Sequence, residues 1–271
     1  ACPKESRVLI PKGSYRITSL FLKSNLRLEL AKGAELIADT DRAAYPKFPG
    51  MIESYDEQGE YNLGTWEGNP LPMFAGIITG LDVENVLIYG RGTINGNASK
   101  ENWWKNPKVM VGAFRPRLFF LSHCQNVTLC GVTFKNSPSW TLHPYFSDNL
   151  KFYGLTINNP SDSPNTDGLD PESCKNVDIV GVKFSLGDDC IAVKSGKIYM
   201  GKKYRTPSEN IHIRQCLMEN GHGAVTVGSE MAGGVRNLHA SKCIFKNTDR
   251  GLRIKTRRGR GKDATIEGIC F

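Results

Sequence analysis

The chain has 271 residues, of which 39% are hydrophobic, and its 35 Lys and Arg outnumber its 27 Asp and Glu to give a formal net charge of +8. No apolar run reaches the ~18 residues that a membrane-spanning helix needs. A chain of this length suits one large all-β unit with a substantial core. The positive charge favours a polyanionic partner, and its sign alone admits nucleic acid, an anionic membrane or an acidic polysaccharide.

Residues 45–72 lack the alternating pattern of apolar residues that follows later in the chain. Their aromatic residues stand among acids and glycines and are Tyr45, Phe48, Tyr55, Tyr61 and Trp66. We predict a long loop beside a groove. Its aromatic rings would either form a substrate wall or pack within an ordered surface loop.

A short pattern recurs from Asn85 onward, in which Asn is followed by apolar residues at alternate positions and often by a central Gly. Its copies begin at Asn85, Asn126, Asn149, Asn176, Asn210, Asn237 and Asp263. The intervals are 41, 23, 27, 34, 27 and 26 residues. Alternation with a period of two predicts strands, and repeats of this length predict the coils of a solenoid. The longest interval predicts either one long excursion or an extra partial coil.

The recurring Asn predicts a ladder of side chains, each bonded to its counterpart on the next coil about 4.8 Å away. The alternative is that Asn simply marks turns, and both interpretations place it at a bend between strands. A solenoid also needs capped ends, because each coil buries its face on a neighbour. The chain opens at Ala1 without a Met and stops inside an apolar run at Phe271, so we expect the natural protein to be truncated here at both ends.

None of the eight cysteines has the close paired spacing of a zinc ribbon, and a fold of this size does not depend on disulfides. Cys216 and Cys243 each lie six residues after the Asn of their copy. Cys124 and Cys174 each lie two residues before theirs. This register predicts stacked, buried thiols and a reducing, cytoplasmic compartment. The alternative is a secreted protein in which neighbouring cysteines form some disulfides.

Four motifs with reactive side chains fall between successive anchors, each on its own predicted coil. They read Asn165-Thr166-Asp167-Gly168-Leu169-Asp170, Gly187-Asp188-Asp189-Cys190, Gly221-His222-Gly223 and Arg253-Ile254-Lys255. If each motif occupies the strand that follows its anchor, stacking brings all four to one side of neighbouring coils. The sequence therefore predicts a single patch of carboxylates, one imidazole and fixed cations.

The acids of this patch predict acid–base chemistry. Asp188 and Asp189 are adjacent and cannot both point inward from a strand, so at least one faces the groove unless the backbone bulges. Close carboxylates push one another's pKa apart, so one can donate a proton while another accepts one. Glycoside hydrolysis requires this equipment. Alone, the pair fits an exposed turn as well as a functional site, but Asp167 and His222 lie on the adjoining coils.

The remaining members of the patch have both a functional and a structural interpretation. His222 lies between two glycines that leave its ring accessible, although a lone His is more often structural. Arg253 and Lys255 share one face of a strand and could hold a sugar carboxylate through a fork and a point charge. Alternatively they belong to a solvated basic face, since residues 250–262 contain seven cations and no acid. That run resembles an RNA-binding segment but lacks an interleaved aromatic platform.

Together and in this order, the four motifs resemble those of glycoside hydrolase family 28, the polygalacturonase family, and the resemblance covers residues 1–271. It implies an all-β chain folded as one right-handed parallel β-helix, a solenoid of three-stranded coils forming a single domain over 1–271. It also implies inversion at the anomeric carbon and neither a metal nor a cofactor.

The resemblance further implies a role for each reactive side chain. Asp188 would be the general acid, with its protonation and orientation supported by His222. Asp167 and Asp189 would activate the attacking water. The galacturonate carboxylate in the cleaved subsite would bind to the cations of the last motif, Arg253 and Lys255.

A second patch lies two predicted coils earlier and resembles a substrate-side stretch of bacterial family members. It comprises Asn136-Ser137-Pro138, Trp140 and His143. We predict that His143 contacts the substrate, with a packed loop His as the alternative. Asp170 is expected to support the site or contact substrate, and Asn165 joins the predicted substrate-binding residues.

The function predicted from these residues is hydrolysis of α-1,4-galacturonosyl bonds in polygalacturonate or oligogalacturonides. Exo-action is slightly favoured, because a cytoplasmic enzyme would meet only imported fragments. The predicted partner is an acidic polysaccharide or oligosaccharide, with no nucleic acid and no membrane. The alternatives are a hydrolase of rhamnogalacturonan or another decorated pectin, and a non-catalytic β-helix that binds polyanions. A lyase fits less well, because β-elimination calls for a basic proton abstractor.

Overall fold

A computed structural model of the protein describes residues 6–50 and 63–271. Short strands stack in parallel into three long sheets, and successive strands along the chain pass from one sheet to the next. The predicted fold is confirmed as a right-handed parallel β-helix, the hand that parallel crossovers almost always take. Within the described ranges no helix is both long and apolar enough to cross a membrane.

Sheets 1 and 2 are continuous along the solenoid. The strands of sheet 1 are Val8–Ile10, Arg27–Leu30, Glu84–Gly90, Gln125–Cys130, Asp148–Tyr153, Lys175–Val180, Ser208–Arg214, Val235–Ser241 and Ile266–Cys270. The strands of sheet 2 are Gly13–Ile17, Ala34–Ala38, Thr93–Asn95, Thr133–Lys135, Thr156–Asn158, Lys183–Ser185, Leu217–Glu219 and Ile244–Lys246.

Sheet 3 has two parts. The first part contains Leu20–Phe21, Ile78–Leu81, Phe119–Ser122 and Leu142–Tyr145, and the second contains Ile191–Val193, Val225–Gly228 and Leu252–Lys255. Parallel bridges from Leu142 to Leu169 and from Leu169 to Ile191 join the two parts. The remaining elements are the antiparallel pair Lys47–Phe48 and Met73–Phe74, the helix Ile198–Tyr204, and the 3-10 turns Arg42–Ala44 and Arg258–Arg260.

The core follows from the alternation of apolar residues. In the strand Gln125–Cys130, Val127 and Leu129 are completely buried while their neighbours face outward. Phe134 and Phe184 fill the interior from sheet 2 and are also completely buried. Fully burying one such side chain stabilises a fold by about 1.5–3 kcal/mol, so stacking equivalent positions yields a continuous core.

The predicted Asn ladder is confirmed. Side-chain bonds of 3.1, 3.1, 2.6, 3.0 and 3.2 Å connect neighbouring rungs. Their members are Asn25, Asn85, Asn126, Asn149, Asn176, Asn210 and Asn237. One rung differs, because Asn176 donates to Asp148 at 2.8 Å rather than to Asn149. All seven have φ between 53° and 61°, a left-handed conformation that Asn tolerates better than other residues with a side chain.

The ladder begins one coil before the first copy in the sequence pattern, at Asn25. The last copy was also misaligned, because Asp263 does not occupy the Asn position. Ile269 pairs with Leu238, which puts Gly268 opposite Asn237. Gly268 has φ 66°, and a Cβ there would approach Oδ1 of Asn237 to 2.7 Å. Glycine therefore replaces Asn where the chain needs positive φ but has no room for a side chain.

Two excursions leave the solenoid. The 41-residue interval is a long excursion rather than an extra coil, since residues 96–118 connect strands of sheets 2 and 3. In the predicted loop 45–72, Tyr45, Phe48 and Trp66 are buried, so the described aromatic residues pack rather than line an open wall. Tyr55 and Tyr61 lie outside the described residues.

The prediction of buried thiols holds for Cys124, Cys174, Cys190 and Cys216, whereas Cys243 is half-buried and Cys130 and Cys270 are exposed. Cys124 and Cys174 are completely buried, and the amides of both donate to serines at the equivalent position of a neighbouring coil, Ser147 and Ser208, each at 3.0 Å. The seven cysteines within the described ranges are free thiols, and Cys2 lies outside those ranges.

Candidate active site

The motifs at 187–190 and 221–223 lie just before strands of the second part of sheet 3, the motif at 165–170 contains the bridge residue Leu169, and the motif at 253–255 lies within the last strand. The amide of Gly168 donates to the carbonyl of Asp189 at 3.0 Å, and the amide of Cys190 donates to the carbonyl of Gly223 at 2.7 Å. These parallel-sheet bonds set Asp167 beside Asp189 in matching positions of neighbouring coils. Residues far apart in sequence therefore become neighbours through one coil step.

The three aspartates form one cluster. One carboxylate oxygen from each of Asp167, Asp188 and Asp189 lies within 4.8 Å of the other two. Asp167 and Asp189 are buried, whereas the side chain of Asp188 is 20% exposed. Oδ1 of Asp188 lies 3.2 Å from Nδ1 of His222, whose side chain is 53% exposed. Asp188 and His222 thus form the part of the cluster that is open to solvent.

The glycines of the Gly221-His222-Gly223 motif have a steric role. A Cβ at Gly221, which has φ 86°, would lie 2.4 Å from the carbonyl oxygen of Asp188. A Cβ at Gly223 would lie 2.8 Å from Oδ1 of Asp189 and 2.3 Å from Oγ1 of Thr226. The glycines therefore let this coil approach the acidic coil closely, beyond leaving the imidazole uncrowded.

The predicted cations lie on the next coil. Arg253 pairs in register with Thr226, and Lys255 with Gly228. Nη1 of Arg253 donates to Oδ1 of Asp189 at 3.1 Å, while the Lys255 side chain is exposed. One cation therefore compensates a buried carboxylate, and the other is available to an anionic ligand.

His143 lies beneath this surface rather than on it. Its side chain is completely buried, with Nε2 2.8 Å from Oε2 of Glu172 and Nδ1 3.3 Å from Nε of Arg117, the donor. Burial, together with the charges of Arg117 and Lys194, holds the pKa of His143 well below its usual range. A neutral imidazole then donates from Nε2. No part of the side chain is accessible, which favours the packed alternative over direct contact with substrate.

Asp170 and Asn165 are placed differently. Asp170 is completely buried, which favours support of the site over contact with substrate. Asn165 is half-buried, and its Oδ1 accepts from Nη2 of Arg115 at 2.7 Å. Nη1 of Arg115 donates to the carbonyls of Pro138 and Pro164. Asn165 therefore fixes the loop that carries Asp167.

A buried ionic network that the motifs did not indicate lies under the cluster. Lys194 is 3% exposed, and its Nζ lies 3.0 Å from Glu230, 3.5 Å from Asp170 and 3.9 Å from Asp167. The alternation Ile191-Ala192-Val193-Lys194 contained the signal, because it turns Lys194 outward with the carboxylates while Ile191 and Val193 face the core.

Burial shapes the protonation of the cluster. It raises the pKa of Asp167 well above its usual range, reinforced by the negative charges of Asp170 and Asp188 and opposed by Lys194. Burial likewise raises the pKa of Asp170 to about 8, against the attraction of Lys194 and Arg117. Burial therefore favours the protonated forms of Asp167 and Asp170, and the positive charge of Lys194 opposes this at both carboxyls.

Three neighbouring carboxylates are one kind of site that can bind a metal cation. Among the described residues, Asp167, Asp188 and Asp189 form the one group of His, Cys, Asp or Glu side chains close enough to do so. Lys194 and Arg253 already supply positive charge at Asp167 and Asp189. The arrangement therefore does not call for a metal, and the expected absence of one stays a prediction.

Comparison with known proteins gives a consistent result. A probable polygalacturonase of Vitis vinifera is 33% identical over 272 residues, which cover 98% of this chain and 53% of that protein. An endo-polygalacturonase of Pectobacterium carotovorum subsp. carotovorum is 33% identical over 270 residues, which cover 94% of this chain and 62% of that protein. The chain thus spans between half and two thirds of the length of these relatives.

A solved structure extends the likeness to three dimensions. The exopolygalacturonase of Thermotoga maritima superposes with a TM-score of 0.83 at 31% identity, covering 94% of this chain and 62% of that one. The model of the family described as glycosyl hydrolases family 28 matches residues 47–271, which include all four motifs. The protein belongs to glycoside hydrolase family 28.

Proposed function

We propose that the protein hydrolyses α-1,4-galacturonosyl bonds of polygalacturonate or oligogalacturonides. The observation that carries the proposal is the cluster of Asp167, Asp188 and Asp189, whose oxygens lie within 4.8 Å of one another. On one side His222 contacts the exposed carboxylate. The exposed Lys255, on the coil after that of His222, is available to bind a uronate.

The burial of the carboxylates supports a division of roles. Asp188 is the carboxyl open to the groove and held by His222, so it protonates the glycosidic oxygen as the bond to the anomeric carbon breaks. Asp167 and Asp189 lie deeper and accept a proton from the water that attacks that carbon. The water proton replaces the one that the leaving group takes, so the cluster returns to its starting charge after proton exchange.

Substrate charge is recognised by the cations of the last motif. Lys255 is exposed and lies two residues after Arg253 on the same face of the strand. A galacturonate carboxylate there would accept a charge-assisted bond. This supports homogalacturonan over rhamnogalacturonan as the substrate class, because a neutral sugar in the cleaved subsite would leave that charge unpaired.

Inversion at the anomeric carbon is part of the proposal and has a direct test. The carboxyl groups of inverting enzymes usually lie about 6.5–9.5 Å apart, and those of retaining enzymes about 5–5.5 Å. One oxygen from each carboxyl of this cluster lies within 4.8 Å of the other two, which is closer than the inverting range. Inversion is therefore proposed from membership of family 28 and not from this spacing.

The activity is tested by incubating the protein with polygalacturonate and following reducing ends and ultraviolet absorbance. Hydrolysis gives reducing ends without absorbance, whereas absorbance from an unsaturated product would contradict the proposal. Proton NMR of the first product gives the anomer: β-galacturonate supports inversion, and α-galacturonate would establish retention. Asp188→Asn should lower kcat about 10²–10⁴-fold, with Asp178→Asn, on the far face in sheet 1, as the matched control.

Exo-action also forms part of the proposal. Outward residues of the first part of sheet 3 are covered, since Phe120 and Tyr145 are buried in a cluster with Phe48 and Met73. Arg117 donates to the carbonyl of Thr65 at 3.2 Å, so the loop that contains Thr65 also covers the buried polar side chain of Arg117. A groove covered on this side favours cleavage near one chain end. Early products of one or two residues support exo-action, and a ladder of intermediate lengths would contradict it.

The free thiols of the described residues support the further proposal of a reducing, cytoplasmic compartment. Fractionation of the source cells with an antibody to the protein tests it. Recovery outside the cytoplasm would remove the argument that the enzyme meets only imported fragments, while leaving the covered groove as independent support for exo-action.

A further inference from the structure

We propose that Lys194 is a positioning residue for hydrolysis, whose buried ammonium favours the ionised form of the Asp167 carboxylate against the cost of burial and keeps it in place to activate water. The inference rests on the proposed function, since it assigns a supporting role within the same reaction. Lys194 touches neither the groove surface nor the expected position of the sugar, because only 3% of it is exposed.

The β-helix register delivers Lys194 to this place. A parallel bridge pairs Glu172 with Lys194, and the pairing of Val193 with Val227 sets Lys194 opposite Gly228. Gly228 in turn pairs with Lys255. Lys194 and Lys255 are therefore equivalent positions two coils apart. The exposed lysine is free to meet substrate, while the buried one lies among the carboxylates.

The position of the ammonium is fixed on several sides. Nζ lies 3.0 Å from Oε2 of Glu230 and 3.5 Å from Oδ1 of Asp170. The ring of Trp140 lies 4.4 Å from Nζ and contributes a cation–π contact. A charge held this firmly acts as a constant field on the carboxylates instead of exchanging with solvent ions.

The carboxylates on which Lys194 acts have few other partners. Among the described residues, Oδ1 of Asp167 and both oxygens of Asp170 accept no hydrogen bond. The nearest cation to Asp167 is Lys194, at 3.9 Å from Oδ2. Without a nearby positive charge, a buried carboxylate protonates instead of remaining charged. A protonated Asp167 could not accept a proton from water.

Several charged groups surround Lys194, and a test must separate its effect on Asp167 from theirs. Glu230, Asp170, Asp167 and Asp189 attract it, and Glu172 lies next to it in register. Across the pocket, the positive charge of Arg117 also acts on the acids of this cluster. Glu230 makes the shortest contact with Lys194, and so competes with Asp167 for the same ammonium.

This competition gives two substitutions with opposite expected effects on the pH dependence of kcat. Lys194→Met removes the ammonium, so Asp167 stays protonated to higher pH and the acid limb moves up by roughly one to three units. Glu230→Gln removes the competing charge while keeping the shape, so the acid limb moves to lower pH. KM for an oligogalacturonide should change less than about threefold in both variants, because neither side chain reaches the groove, whereas kcat below the shifted limb falls about tenfold per unit.

Lys175→Met is the matched control, since it removes an ammonium paired with Glu209 at 2.9 Å on sheet 1, away from the site. Its pH profile should coincide with that of the unmodified protein. A Lys194→Met variant that loses kcat equally at all pH values would overturn the proposal, because that pattern reports a structural defect. Shifts of both variants in the same direction would overturn it as well.

Carbon-13 NMR titration of labelled aspartate carboxyls, with Asp167→Asn to assign the resonance, supplies a readout independent of turnover. A higher titration midpoint of Asp167 in Lys194→Met supports the inference even if the unmodified protein fails to cleave polygalacturonate, in which case only the proposed function fails. An unmoved midpoint overturns the inference whatever the activity. If Lys194→Met does not fold, the Glu230→Gln titration decides, with a lower midpoint expected.

Discussion

Replacing Gly223 by Ala is expected to damage catalysis much more than folding. A Cβ at this position would lie 2.3 Å from Oγ1 of Thr226 and 2.8 Å from Oδ1 of Asp189. Cβ contacts below 3.0 Å essentially do not occur, so both groups must move by several tenths of an ångström or more. Displacements approaching 1 Å at a reacting group cost about 10²-fold in rate, and overpacking costs about 1–3 kcal/mol of stability.

The assay compares kcat on an oligogalacturonide with the urea unfolding midpoint for two matched alanine variants. Gly259→Ala is the control, because a Cβ there meets nothing within 4 Å, and it should leave both quantities unchanged. Adding Thr226→Ala to Gly223→Ala should restore part of kcat, since the removed Oγ1 is buried without a hydrogen-bond partner in the described chain. Full activity of Gly223→Ala would refute the inferred packing of this coil against the acidic coil.

Three further expectations follow from charges and backbone angles. Arg253→Met removes a charge-assisted bond to Asp189 worth about 1.5–3 kcal/mol, so kcat/KM should fall roughly 10- to 150-fold; Arg236→Met on sheet 1 is the control, and an equal loss in both would point to a general charge effect. Burial raises the pKa of Asp170 to about 8, so its protonated form stabilises the fold fully below about pH 4 and that stability is lost as the pH rises through 8. Across this window the free energy of unfolding of Asp170→Asn, measured in urea titrations, should therefore rise relative to that of the unmodified protein. A difference that does not depend on pH would contradict the raised pKa. Asn210 has φ 58°, so Asn210→Ala should cost about 1–2 kcal/mol more than Asn210→Gly, and equal unfolding midpoints of the two variants would argue against strain at the ladder.

The repeat was predictable because it depends on residue types at fixed local spacings. Alternating apolar residues fix the strands, and Asn marks the left-handed residue in most strands of sheet 1, so the register from Asn85 to Asn237 could be read directly. The pattern failed where a residue other than Asn adopts the left-handed backbone conformation. Gly268 satisfies the same positive φ as Asn, and a search keyed to Asn passed over it.

The motif residues were predictable for a related reason, since stacking converts a regular spacing in sequence into contact in space. Asp167 and Asp189 are neighbours because one coil step separates them. The spacing does not predict how deeply each side chain is buried. Nothing in the motifs distinguishes the exposed Asp188 from the buried Asp189, because that difference depends on which side chain turns toward the adjacent coil.

The burial of His143 depends on contacts that no local pattern contains. Its strand alternates like the others, so an outward residue at that position would ordinarily face solvent. The excursion before Met73 changes this, because Trp66 and Thr65 contact Arg117 over the same surface, and Arg117 in turn donates to the imidazole. An outward position on a β-helix is therefore a groove residue only where no excursion covers it. The surroundings likewise separate Lys255, exposed on its coil, from Lys194, which occupies the equivalent position two coils earlier and is buried among carboxylates.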